Sequence, residues 1–195
     1  MYLFFDTETT GLPKKWGAPA TDVDNWPRII QLAFILTDEN GGVIEEYCEL
    51  IKPDGWEIPN EKFWIDNGYS TEGNDANGRT IHSALRRFQE ALKRSKLKIA
   101  HNVKFDNPIV EAEMIRAGVE TALHKYKPGF CTMMNTTNIV GIKKSHAGGN
   151  KWPKLTELHE FLFEVGFDGA HDALEDVRAT ARCFFELQKR GAIKI

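Results

Sequence analysis

The opening residues restrict this chain more than any other segment: a continuous apolar and aromatic run, Tyr2-Leu-Phe-Phe5, leads directly into two acids, Asp6 and Glu8. A short apolar run without a polar interruption is the pattern of a strand buried on both faces, which belongs inside a covered sheet. Side chains alternate along a strand, so Asp6 and Glu8 point to the same side. The strand's end thus presents like charges on one face, and they repel unless something cationic joins them. An isolated Asp-x-Glu is commonly no more than a solvated strand end, so its meaning depends on the rest of the chain.

Arg28 to Thr37 and Val43 to Lys52 read as two further strands, joined by Asp38-Glu-Asn-Gly-Gly42, whose Asn-Gly is a hairpin signal. The sheet therefore opens as an antiparallel meander. A short helix is predicted from Pro59 to Tyr69, then a Gly/Asn/Asp-rich loop at Gly73 to Gly78, then a helix from Thr80 to Ser95 with Ile81, Ala84, Leu85, Phe88 and Leu92 at helical spacing. Leu97 to Ala100 is a small buried strand. Phe105 to Ala117 is a helix in which Pro108 is tolerable because it falls in the first turn, with Gly118 as the stop. Further helices are expected over Cys131 to Gly141, Leu155 to Val165 and about Asp172 to Arg190, the last with Asp172 and Glu175 as a capping pair. Leading strands followed by alternating helix and strand predict an α/β domain with a mixed central sheet. The 195 residues read as one domain, 1–195, with a core able to fold alone.

Composition narrows the function classes without choosing among them. Apolar residues at 42% and charged residues at 27% are ordinary for a globular protein and too interrupted for a membrane span. Met1 to Asp6 lacks the basic and cleavage-site features of a signal peptide. Cys48, Cys131 and Cys183 show no Cys-x-x-Cys spacing, and together these features predict a reducing, cytoplasmic setting. A net charge of −3 does not advertise nucleic-acid binding, although acids gathered to hold cations would understate the local positive potential once those cations bind.

Two later segments change the weight of the first acid pair. His101-Asn-Val-Lys-Phe-Asp106 places an acid after a buried strand and at the start of a helix, where alone it would compensate the helix dipole. His171-Asp-Ala-Leu-Glu-Asp176 puts a histidine just before a helix and an acid about one turn inside it, a pair that converges if His171 curls back from its loop. Read singly, His171 is a surface histidine near a cap and Asp176 a solvated helix residue.

Together with Asp6-Thr-Glu-Thr-Thr-Gly-Leu12, these segments resemble, in order and context, the three motifs of the DEDDh (DnaQ-like) 3′→5′ exonuclease family, over nearly the whole chain. Lys52-Pro-Asp54 and Cys131-Thr-Met133 add secondary similarity. The resemblance implies a ribonuclease H-like fold, with Asp6, Glu8, Asp106 and Asp176 as ligands of two Mg²⁺ or Mn²⁺ ions and His171 as general base. Oxygen ligands suit such ions, and a pair about 3.5–4 Å apart would serve the attacking water and the leaving oxygen. A neutral imidazole titrating near physiological pH suits the base, where another carboxylate would add repulsion. The resemblance also assigns Thr7, Thr9 and Leu12, with the backbone of this segment, to the terminal nucleotide, and Asn102 either to substrate or to a helix cap. Where the family often carries His-Gly-Ile, this chain reads Asn67-Gly-Tyr69, which puts the substrate contact at Asn67 in question.

The expected activity is removal of nucleoside 5′-monophosphates from a 3′ end, with single-stranded DNA favoured. An RNase T-like or oligoribonuclease-like exoribonuclease is the alternative, since the choice turns on the 2′-hydroxyl. A polymerase-accessory binding module is a third reading, with proofreading, replication and repair all compatible. Lysines at Lys93 to Lys98 suit a solvated helix face. Those at Lys143-Lys144 and Lys151 to Lys154 suit a phosphate track, beside a Trp152 that either stacks on a base or anchors its loop.

Overall fold

The computed structural model describes residues 1–146, 148–169 and 172–195. Strands β1 (Tyr2–Thr9), β2 (Ile29–Thr37), β3 (Val43–Leu50), β4 (Leu97–Ala100) and β5 (Gly129–Cys131) form one sheet in the order β3-β2-β1-β4-β5. β1, β2 and β3 make the antiparallel meander, and β4 joins β1 and β5 in parallel. Helices α1 (Lys62–Asp66), α2 (Thr71–Asn77), α3 (Ile81–Arg94), α4 (Val103–Arg116), α5 (Ala122–Tyr126), α6 (Thr132–Val140), α7 (Leu155–Phe163) and α8 (Ala173–Lys189) flank it. This is the mixed sheet with an antiparallel meander that the sequence predicts. Among the described residues no helix is long and apolar enough to cross a membrane.

Strand alternation decides what each layer covers. Leu3 and Phe5 of β1, with Leu32, Phe34 and Leu36 of β2, face α3 and α4 and pack on Leu85, Phe88 and Val110. Tyr2 and Phe4, with Ala33 and Ile35, face the other way and pack on Val177 and Phe184 of α8. Both sides of β1 and β2 are therefore buried. By the same alternation the strand carries Asp6 and Glu8 onto the α8 side and Thr7 onto the α4 side.

β1 continues past the predicted Phe5 boundary, because Asp6, Thr7 and Glu8 stay paired with Ala33, Leu32 and Gln31. The predicted loop at Gly73 to Gly78 is largely helix α2. Ser70 caps it, and the buried Asn74 side chain donates to the carbonyls of Ile30 (2.8 Å) and Ile51 (3.1 Å), a tertiary tie that overrides weak local propensity. The helix expected over Pro59 to Tyr69 is confined to α1. Helix α4 starts at Val103, so Pro108 lies beyond the first turn and costs an intrahelical hydrogen bond there. Short α5 and β5 have no periodicity to announce them, and Cys131 ends β5 and caps α6.

Candidate active site

β1 and α8 bring the acids together. Asp6 faces Ala33 across the ladder and Glu8 faces Gln31, directly under the start of α8. Asp172 caps that helix, accepting from the backbone amides of Leu174 (3.0 Å) and Glu175 (3.2 Å). Its predicted capping partner Glu175 pairs instead with Arg178 at 2.6 Å. Gln31 locks the cap to the sheet: its Oε1 accepts from the Ala173 amide (3.0 Å) and from the Tyr69 hydroxyl (2.7 Å). With the helix start held, Asp176 in the first turn meets the strand acids, and one oxygen each from Asp6, Glu8 and Asp176 lies within 4.8 Å of the others. All three residues are half-buried.

Asp106 approaches from the first turn of α4 and is almost fully buried, at 2% exposure. Its Oδ1 accepts from the Thr7 amide (3.1 Å) and the Thr7 hydroxyl (2.8 Å). It stands outside the close trio, yet its charge acts on both Asp6 and Glu8.

Burial and crowding raise the proton affinity of Asp6, Glu8 and Asp106. The Asp6 carboxyl is held well above the ordinary carboxylate range, first by burial and then by Asp106, Glu8, Asp176 and Asp172. Glu8 is pushed up to about 8 by burial and then by Asp176, Asp106 and Asp172. Burial lifts Asp106 to about 7 against the lowering effect of the Thr7 hydrogen bonds. The charges that act on Asp6 and Glu8, among the described residues, are all carboxylates. Partly buried oxygen donors of one sign, this close, fit a hard divalent cation, whose charge would relieve the repulsion.

His171 lies outside the described residues. Thr7 turns its hydroxyl inward to Asp106, so its side chain serves the acid. The Thr9 hydroxyl donates to the Gly11 carbonyl at 2.7 Å and is likewise committed within the fold. Leu12 is 71% exposed and lines a pocket of about 310 Å³ with Glu8, Phe63, Trp64 and Phe105. Sequence reasoning missed those three aromatics, for which the only signal was the Phe63-Trp64 pair in a polar stretch. Asn102 occupies the N-cap of α4 in a left-handed conformation (φ 81°), but its side chain makes no capping bond. Asn67 closes α1, donating to the Phe63 carbonyl at 2.7 Å.

The lysine clusters separate. Arg94 and Lys96 pair with Glu45 (2.6 Å) and Glu39 (2.7 Å), as a solvated surface would. Lys151 pairs with Glu157 at 2.5 Å, while Lys144 and Lys154 are exposed. His101 of the second motif is structural: burial lowers it to about 4, and its ring nitrogens meet the Thr132 hydroxyl (2.9 Å) and the Pro153 carbonyl (3.0 Å).

The model of the RNase T family, described as exonuclease, matches residues 3–184, which takes in Asp6, Glu8, Asp106 and Asp176 and most of the last helix. The chain belongs to this exonuclease family. Among solved structures, this family member is similar to E. coli exonuclease I in complex with a dT13 oligonucleotide, with a TM-score of 0.75, 20% identity, and coverage of 97% of this chain and 41% of that one. The E. coli enzyme with a dA16 oligonucleotide gives a TM-score of 0.71, 22% identity, and coverage of 97% and 41%. A zinc-bound form of the E. coli exonuclease I–ssDNA complex gives 0.74, 22% identity, and coverage of 97% and 40%. The shared architecture is the ribonuclease H-like fold, and this chain spans about two fifths of the length of those proteins. The comparison with curated proteins gives no match.

Proposed function

We propose that this chain is a divalent-metal-dependent 3′→5′ exonuclease that acts on single-stranded DNA and releases nucleoside 5′-monophosphates. The observation that carries the reading is the meeting of Asp6, Glu8 and Asp176 oxygens within 4.8 Å, at the junction of β1 and α8. Asp106, buried beside them and steadied by Thr7, completes the ligand set. What two cations supply when bound there is neutralisation of the phosphate charge and a more acidic water.

The protein's own groups divide the remaining work. Asp6 and Glu8, fixed by the ladder, and Asp176, fixed by the capped helix, set the positions of positive charge before substrate arrives, so little reorganisation remains during reaction. His171 precedes the N-cap Asp172 that Gln31 holds; by its place in the third motif it takes the proton of the attacking water. The pocket of Leu12, Phe63, Trp64 and Phe105 beside Glu8 receives the terminal nucleotide through its apolar ring faces. Single-stranded DNA is favoured because the similar E. coli structures are complexes with dT13, dA16 and ssDNA.

The test is a time course on matched DNA and RNA oligonucleotides labelled at the 5′ end, with Mg²⁺, Mn²⁺ or EDTA. The expected result is a ladder on DNA that shortens from the 3′ end, requires metal, and is lost in Asp6→Asn and His171→Ala. Shortening in EDTA, release of the label as a mononucleotide before any shortened strand appears, or undiminished cleavage by Asp6→Asn would overturn the proposal. Faster trimming of RNA would transfer the same chemistry to the exoribonuclease reading.

A further inference from the structure

We infer that a groove beside the acid cluster holds the single strand on the 5′ side of the terminal nucleotide, by stacking bases on two tryptophans and meeting phosphates with lysines. The inference rests on the exonuclease reading and adds where the strand runs.

The groove, about 900 Å³, lies between the start of α4 and the α5–β5 segment. Trp16 and Trp152 line it together with Lys104, Lys125 and Lys127, and the buried Lys98 lines its base. No acidic side chain lines it among the described residues, although the whole chain carries a net charge of −3. Positive charge is thus segregated here while the acids gather at the neighbouring site, a separation suited to a polyanion whose reacting end meets bound cations. Lys98 and Lys127 are committed to the carbonyls of His124 (2.5 Å) and Ser95 (2.6 Å), so the phosphates fall mainly to the exposed Lys104 and Lys125.

The tryptophans identify the occupant. Trp16 is 54% exposed and Trp152 62% exposed, a large apolar area to leave in water. Both are presented by pinned loops. The buried Asn25 side chain accepts from the Lys15 amide (2.7 Å) and donates to the Lys15 carbonyl (3.1 Å), next to Trp16. His101 holds the Pro153 carbonyl at 3.0 Å, next to Trp152. Rings held in advance lose little freedom when a ligand stacks on them, and flat faces among lysines suit unpaired bases without regard to sequence. Of the two roles open to Trp152, base stacking and loop anchoring, this geometry favours stacking.

The groove also continues into the site. The Trp16 ring lies 6.0 Å from that of Phe105, and Phe105 lines the smaller pocket beside Glu8. Aromatic surface therefore leads from the terminal-nucleotide pocket into the groove, past Asn102 at the head of α4.

The test compares kcat and KM on dT2 and dT12 in Mg²⁺, with rU12 as a second polymer. The proteins are wild type, Trp152→Ala, Trp152→Phe, Trp16→Ala and the double variant Lys104→Gln/Lys125→Gln. Anisotropy of labelled dT12 across a salt series is read in parallel. Wild type should show a lower KM for dT12 than for dT2. Trp152→Ala should raise the dT12 KM about tenfold, within the usual range for removal of one base stack, and Trp152→Phe should recover much of it. Because Lys104 and Lys125 are surface residues, their replacement tests the groove without threatening the fold. It should flatten the logarithmic salt slope by about 0.7 for each phosphate no longer neutralised. An active wild type with equal KM for dT2 and dT12, or tryptophan and lysine variants with wild-type KM and salt slope, overturns the groove and leaves the exonuclease reading standing. Displacement of dT12 by polyglutamate at equal charge concentration also overturns it, in favour of an acidic-peptide surface. Tryptophan-dependent binding of dT12 without cleavage of any oligonucleotide keeps the groove and removes the exonuclease reading.

Discussion

Glu113 and Asp106 lie on the same helix about two turns apart, both almost fully buried, yet their surroundings are opposite. Glu113 is enclosed by donors: Arg28 Nε at 2.7 Å, Arg116 Nη1 at 3.0 Å and the Ile29 amide at 3.2 Å. Asp106 accepts from neutral donors, the amide and hydroxyl of Thr7, and it looks toward Asp6, Glu8 and Asp176. A buried acid with its charge balanced inside the protein ties α4 to the start of β2. A buried acid among other acids stores repulsion that a bound cation or a proton relieves. Burial alone does not mark function, then; the sign of the neighbours does.

The sharpest way to break this contrast is to neutralise one acid of each kind. Asp6→Asn should lower kcat/KM on the order of 10³-fold, about 4 kcal/mol of transition-state stabilisation, while raising the melting temperature of the metal-free protein. A lowered melting temperature would show that the cluster is framework after all. Glu113→Ala should do the reverse. It leaves Arg28 and Arg116 without their shared partner and should cost about 3 kcal/mol in denaturant unfolding, with kcat per folded molecule retained.

Metal should act on one region only. At a free concentration one hundred times the dissociation constant, Mg²⁺ or Mn²⁺ should stabilise the wild type by about 2.7 kcal/mol. The increment should vanish in Asp6→Asn and persist in Glu113→Ala. Equal stabilisation of all three would place the ion elsewhere.

A pH series sharpens the same point. Glu8 is raised in the folded state, so its proton favours folding below the ordinary value of 4.5, and that contribution is lost as pH rises toward about 8. Metal-free stability should therefore decline across this window, and saturating Mg²⁺ should flatten the decline. A metal-free protein that gains stability over the same range would contradict the assignment. The smallest effect is expected from Tyr69→Phe, which removes one hydrogen bond to Gln31 and should cost about 1 kcal/mol by chemical denaturation.

Much of this site was legible in the chain because its logic is local. Two acids two residues apart on a buried strand must share a face, and an acid one turn inside a helix must lie near that helix's start. The legibility ended where distant segments decide the outcome. Nothing near Asn74 in sequence predicts that its amide will tie the carbonyls of Ile30 and Ile51 and make a helix of a glycine-rich stretch. Nothing near Gln31 predicts that it will grip the cap of α8 across the sheet. Thr7 and Thr9, read as substrate contacts, line the pocket beside Glu8, while the Thr7 hydroxyl is tied to Asp106, ninety-nine residues away, and that of Thr9 to the Gly11 carbonyl in its own loop.

By itself the sequence determined the fold class, the meander, the common face of Asp6 and Glu8, and the order of the motifs that resemble an exonuclease family. These follow from alternation, periodicity and turn chemistry, which act over a few residues. Only the tertiary structure decided that Asp176 meets Asp6 and Glu8, that Phe63, Trp64 and Phe105 wall the adjoining pocket, and that Trp16 and Trp152 flank one groove with lysines. Those proximities join residues far apart in the chain, and it is sheet register and helix docking, set by burial of the whole core, that bring them together.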